Sequence, residues 1–216
     1  MHELAQTKAD VCMNLLGYDA FMQEPDHWVL KLVEFVRIVL QQQMRVRVIG
    51  VCFGHQIIAR ALGVMPTRSQ KGWEVAVTPV HLTDSGKWVF GLEELVRPPH
   101  QRLKTAPGPG GELQMANAAS QHIHQMHRDV VPECPPHVLS LGSSERCDVQ
   151  GMYSKGRMLS VQGHPEYSGK IANELLDLRR GTKLDEVTYF NGKKRANLAH
   201  DGVAVAAGFL RFLMEE

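Results

Sequence analysis

An excess of charge of either sign is the first thing this chain lacks: 24 Lys and Arg face 23 Asp and Glu, for a formal net charge of +1. No domain-wide basic field exists to gather phosphates, which speaks against nucleic acid or an anionic membrane as the main partner. Also missing is any run approaching the ~20 apolar residues needed to span a bilayer. The opening residues, MHELAQTKAD, hold no apolar stretch of the secretory-leader kind. The four cysteines, Cys12, Cys52, Cys134 and Cys147, show no C-x-x-C spacing. A disulfide scaffold therefore loses its support, and a reduced setting, cytoplasmic or nuclear, is expected. No internal repeat divides the chain. With 44% hydrophobic content over 216 residues it can bury a sizeable core, so one domain spanning residues 1–216 is the natural expectation.

Within that composition the stretch from Val46 to Leu62, VRVIGVCFGHQIIARAL, is organised around a single thiol. The β-branched run Val46, Val48, Ile49, Val51 reads as a buried strand, and Ile57, Ile58, Ala61 and Leu62 fall at helical spacing. Cys52 thus sits where strand becomes helix. Gly50 and Gly54 suit a turn that throws a nucleophile out of a sheet and brings neighbouring segments close. In that geometry the Phe53 N–H points toward a reacting oxygen, and the helix N-terminus favours a thiolate. A lone G-x-C-x-G is equally compatible with a buried cysteine in a βα turn, so the pattern needs a partner.

Arg157 to Glu166, RMLSVQGHPE, supplies one. An alternating strand leads into Gly163-His164-Pro165-Glu166, and residues two apart in extended chain face the same way. Pro165 keeps His164 out of the α region, which holds the segment extended. His164 is then placed to take a thiol proton while Glu166 orients its ring. By itself H-P-E is a turn with two polar residues; with the upstream cysteine it becomes specific.

Taken together, GVCFGHQ (50–56) and QGHPE (162–166) resemble the class I (triad) glutamine amidotransferases, in particular the small stand-alone members of fungi and plants that include γ-glutamyl peptidases. The resemblance runs from about Tyr18 to the C-terminus. It implies an α/β, flavodoxin-like three-layer sandwich, with a mostly parallel central sheet and a few antiparallel strands. It also implies a nucleophile at Cys52, a base at His164 and its orienter at Glu166. Phe53 and Gln56 would help hold the substrate. Met126-His127-Arg128-Asp129 resembles the segment that binds the amino and carboxylate end of glutamine, partly through backbone groups. The activity implied is hydrolysis of the glutamine side-chain amide through a glutamyl thioester, with no cofactor and no metal. The partner is a small molecule, glutamine or a γ-glutamyl compound, with an ammonia-accepting synthase as a further possibility. A γ-glutamyl peptidase acting on glutathione-like compounds, and a weak or inactive binding member, stay open as alternatives. An α/β-hydrolase with a cysteine elbow is disfavoured, because its acid precedes its histidine in the chain.

Elsewhere the sequence is less informative. Residues 1–17 are atypical, reading as a frayed helix or an unrelated leader. The run ahead of Cys52 looks too short for the strands and small glycine loop that complete an oxyanion hole in related domains, with Leu15-Leu16-Gly17 as a faint remnant. A shortened sheet edge and impaired turnover are expected from that. Trp28 to Gln43 carries a helical apolar stripe, with Asp26 as its cap. Val75 to Leu82 alternates as a strand that Pro79 assigns to edge or antiparallel pairing. Trp73, just ahead of it, is placed either in the pocket or in the core. Residues 97–120 hold four prolines and three glycines and read as a flexible insertion. His122, His124 and His127 lie close in sequence, yet no acidic or cysteine ligand stands at a useful spacing, and a metal site is not expected. Short strands are expected over Val138 to Leu141, Val149 to Tyr153 and Met158 to Val161. A helix capped by Ser168 and stopped at Gly181 follows, and a last one runs from Asp201 to Met214.

Overall fold

The computed structural model describes residues 10–15, 27–91 and 120–215. In chain order the elements are β1 (Asp10–Leu15), α1 (His27–Gln42), β2 (Arg47–Cys52), α2 (Phe53–Ala61), β3 (Thr67–Arg68), β4 (Glu74–Leu82) and α3 (Asp84–Phe90). They continue with β5 (Ser120–His127), β6 (Asp129–Val130), β7 (Leu139–Ser143), β8 (Gly151–Ser154) and β9 (Met158–Val161). Three helices close the chain: α4 (Gly169–Arg179), α5 (Glu186–Arg195) and α6 (Gly202–Met214). Among the described residues no helix is long and apolar enough to cross a membrane.

Seven strands form one sheet in the order β1-β2-β9-β8-β7-β4-β5, and β3 pairs with β6 in a separate ribbon. Alternation along the central strands builds the layers. Val48 and Met158 face one side, where they pack with α1 and α2 through Val36, Ile57 and Ile58. Ile49, Val51, Leu159 and Val161 face the other, against Val89 and Phe90 of α3 and Val205 and Phe212 of α6. A third cluster joins α4 and α5 to the start of β4 through Val75, Leu176 and Tyr189. β2 is buried on both faces, which is why it reads as a β-branched run with no polar alternation.

The three-layer α/β class is as expected. Antiparallel pairing takes a larger share than the sequence suggested: β1, β2 and β9 are parallel, and β9-β8-β7-β4-β5 are antiparallel throughout. Short connections between β7, β8 and β9 permit only that sense, whereas parallel neighbours need a crossover. The other departure lies at the start. Residues 10–15 are neither a frayed helix nor a detached leader but a strand paired in parallel with β2, Leu15 standing opposite Cys52. Leu16, Gly17, Asp26 and residues 97–119 lie outside the described residues.

Most other expectations map onto elements. Gly63 closes α2 with φ 94°, and Ser168 caps α4 by accepting from the Ile171 N–H at 3.3 Å. Pro79 is tolerated because β7 reaches only His81 and Leu82, leaving that flank of β4 unpaired. Arg157 ties α1 to the sheet at the end of β2 and β9 away from Cys52. It donates to the carbonyls of Val39, Leu40, Gln43 and Val46 at 3.1, 2.6, 2.9 and 3.0 Å, a cation where the carbonyls of α1 run out.

Candidate active site

Cys52 ends β2 with φ 50° and ψ −100°, a conformation that costs a non-glycine residue about 1–3 kcal/mol and persists only where its surroundings enforce it. Gly50 is part of that enforcement. A Cβ there would stand 2.6 Å from Ile58 Cδ1 and 2.7 Å from the Gly54 carbonyl carbon, so only glycine lets α2 fold back this closely over β2. The half-buried thiol therefore stands at the N-terminal end of α2, whose first residue is Phe53.

β9 runs parallel beside β2, with Val161 opposite Val51, and the chain continues past its end through Gln162, Gly163 and His164 at the level of the thiol. Gly163 is packed tightly enough that a Cβ would come within 2.8 Å of Ile123 Cγ2. That closeness lets the His164 N–H reach the His124 carbonyl at 2.7 Å and pins the imidazole to β5. His164 is 2% exposed, and its Nδ1 lies 2.8 Å from Glu166 Oε1. Tyr167 stacks flat on the ring, centroids 4.0 Å apart and planes 12° from parallel. Burial works against a charged His164. The Cys52 thiolate, by charge and hydrogen bond, together with the Glu166 carboxylate, outweighs it and lifts the ring to about 9.

Beside the thiol lies a cavity of about 80 Å³. Phe53, Gln56, Met126, His127, Arg128 and Asp129, the residues expected to meet substrate, all line it with Cys52, and Arg68, Trp73 and Lys183 join them. Gln56 is a brace: its Nε2 donates to the Asp129 carbonyl at 2.9 Å and to Gln162 Oε1 at 3.0 Å, and Gln162 Nε2 reaches Cys52 Sγ at 3.5 Å. Arg68 faces Asp129 across the β3–β6 ribbon and grips its carboxylate. The His127 ring turns inward, its Nε2 3.0 Å from Glu74 Oε2, both side chains 3% exposed. Glu74 also accepts from Gln150 Nε2 at 2.8 Å. Burial pushes its carboxyl up, but hydrogen bonds and charge from His127, helped by Ser144 and Gln150, bring it below its ordinary range.

The three neighbouring histidines of β5 go separate ways: His122 faces Asp201, His124 packs against His200 with ring centroids 4.7 Å apart, and His127 meets Glu74. Sequence reasoning missed Gln162, Arg68 and Lys183. Gln162 had a signal, since it opens the QGHPE stretch itself. Arg68 and Lys183 had none, because each reaches the cavity from a short turn or ribbon with no periodicity to mark it.

The family model described as glutamine amidotransferase class-I matches residues 25–178. A putative glutamine amidotransferase-like protein of Schizosaccharomyces pombe is 33% identical over 189 residues, covering 87% of this chain and 66% of that one. Gamma-glutamyl peptidase 4 of Arabidopsis thaliana is 33% identical over 162 residues, 74% of this chain and 55% of its own length. Among solved structures, a glutamine amidotransferase of Thermotoga maritima superposes with a TM-score of 0.61 at 16% identity, over 95% of this chain and 78% of that one. Such low identity speaks for the fold alone, but the family match covers well over half the chain, which belongs to the class I glutamine amidotransferases.

Proposed function

We propose that this protein hydrolyses the side-chain amide of glutamine to glutamate and ammonia, with Cys52 as nucleophile, His164 as acid and base, and Glu166 as the group that orients His164. The observation that carries the reading is the strained Cys52 at the head of α2, set beside a buried His164 whose Nδ1 is held by Glu166 at 2.8 Å. In this reading the thiolate attacks the amide carbon, and the oxyanion that forms draws on the Phe53 N–H at the helix end. His164 passes its proton to the departing nitrogen, so ammonia leaves and a glutamyl thioester remains. Water, giving a proton to the same ring, then cleaves the thioester to glutamate and restores the thiol. Gln56 and the Met126–Asp129 segment frame the glutamyl group.

The likeness to gamma-glutamyl peptidases favours one second reading: the same triad cleaving a γ-glutamyl peptide bond, with an amino compound leaving in place of ammonia. Ammonia and free-amine release from glutamine and from glutathione, measured side by side for the wild type and Cys52→Ala, tests both. Release from either substrate that Cys52→Ala abolishes is expected. Full activity in Cys52→Ala overturns the triad, and no release from either substrate overturns the enzyme reading in favour of a binding member.

A further inference from the structure

Lys183 comes from the far end of the chain to stand in the cavity beside Cys52. Its turn is fastened at both ends. The Arg179 carbonyl accepts from the N–H groups of Thr182, Lys183 and Leu184 at 3.3, 3.0 and 3.0 Å, and Gly181, at φ 70°, donates back to the Leu184 carbonyl at 3.0 Å. Leu184 is 2% exposed within the α4–α5 cluster, so the backbone that carries Lys183 is anchored in the core. The fold thus fixes the backbone from which this side chain reaches the cavity.

The charges around the cavity do not balance. Among the described residues that line it, Asp129 is the only carboxylate, and Arg68 already grips it. Arg128 and Lys183 remain, both exposed, and among the described residues neither has a carboxylate partner. His127 is turned away onto Glu74. Two cations on the rim of one small cavity, without a carboxylate partner among the described residues, favour an anionic group on the ligand.

We propose that Lys183 is a specificity-determining residue that binds a substrate carboxylate in the acyl site. The assignment rests on reading that cavity as the acyl site. Two carboxylates present the same chemistry: the α-carboxylate of the glutamyl group, and a second one carried by the leaving group of a γ-glutamyl peptide.

The test measures KM and kcat for the wild type, Lys183→Gln and Lys183→Arg on four substrates: glutamine, its α-methyl ester, glutathione, and glutathione with its terminal carboxylate amidated. Calorimetric titration of L-glutamate accompanies it. Lys183→Gln is expected to raise KM about five- to tenfold with kcat nearly unchanged, and Lys183→Arg to restore most of the loss. Disappearance of the penalty with the methyl ester assigns the α-carboxylate; its disappearance with the amidated tripeptide assigns the leaving group. A penalty that is absent from every substrate, or equal in all four, overturns the proposal while leaving amide hydrolysis in place. If the wild type turns over none of them, the hydrolase reading fails, and the titration alone decides. Weaker glutamate binding by Lys183→Gln then upholds the carboxylate site, and unchanged or absent binding overturns it.

Discussion

Two histidine–glutamate pairs lie close to Cys52, and their chemistry on paper is the same. His164 and Glu166 meet at 2.8 Å, His127 and Glu74 at 3.0 Å. Their surroundings separate them. The first pair has its glutamate 29% exposed and its ring in contact with a thiol and a stacked tyrosine. The second is sealed, with both side chains 3% exposed, and Glu74 is tied further to Gln150, which bonds Ser144 and Gln125. A histidine–carboxylate pair does proton work only where a reacting group stands at the other ring nitrogen. Sealed inside a polar network, the same pair becomes a strut that fixes β4 to β5 beside the Arg128–Asp129 segment, since Glu74 and His127 are register partners.

The largest effect should come from the first pair. His164→Ala is expected to lower turnover by roughly 10⁴-fold, about as much as Cys52→Ala, since residues acting as a unit lose nearly everything together. Its melting temperature should move little by comparison. Steady-state amide hydrolysis and thermal denaturation on the same preparations check both halves. The contrast breaks if His164→Ala unfolds the protein or keeps substantial turnover.

The second pair predicts the opposite division. His127→Ala leaves Glu74 buried without its partner, which costs about 3–5 kcal/mol of stability. Denaturant unfolding should show that loss. In the fraction that stays folded, KM should rise more than kcat falls, because His127 holds the Arg128–Asp129 segment through its Nδ1 contact with the Asp129 carbonyl at 3.2 Å. Unchanged stability with a collapse of kcat would make His127 a chemical group and erase the distinction.

The two pairs also differ in how much of them the sequence exposes. His164, Pro165 and Glu166 are contiguous, and proline fixes their spacing, so both the pairing and its orientation can be read locally. Cys52 is legible for a similar reason: strand, glycine, thiol and helix follow one another without a gap. Glu74 and His127 stand on different strands and meet only through the antiparallel register of β4 and β5, which no local pattern encodes. Lys183 and Arg68 were hidden likewise, as single cations on a short turn and a two-residue strand whose direction depends on distant packing. The atypical start had the same obstacle, for β1 is recognisable as a strand only once β2 lies beside it. The fold class came through because periodicity and the two motifs specify elements and their order.

Within the first pair, Glu166→Gln sharpens the comparison further. Glutamine keeps an oxygen that can accept from His164 Nδ1 but loses the charge that helps hold the ring protonated. Turnover should fall roughly 10²-fold, well short of His164→Ala. A loss equal to or larger than that of His164→Ala, in the same assay, would mean that Glu166 has a task besides orientation.

The smallest expected effect is on the pH dependence of stability, and it separates the pairs by sign. Glu74 titrates below its ordinary value of 4.5 in the folded protein, so the native state favours the carboxylate. Its contribution is therefore present above about pH 4.5 and fades as pH falls through the lowered folded value. His164 is lifted to about 9, so its contribution is complete below the unfolded value near 6.5 and fades as pH rises toward 9. The Arg195 guanidinium, whose charge also reaches Glu74, stays protonated across both windows and leaves the two limbs distinct. Melting curves from pH 3 to 10 should show each limb displacing the wild-type transition by roughly 2–4 °C for every kcal/mol involved. Glu74→Gln should flatten the acid limb alone. Cys52→Ala should flatten the alkaline limb alone, because much of the lift on His164 comes from the thiolate. If Cys52→Ala leaves the alkaline limb intact, His164 owes its charge to Glu166 rather than to the thiol, and the two histidine–glutamate pairs are more alike than their surroundings suggest.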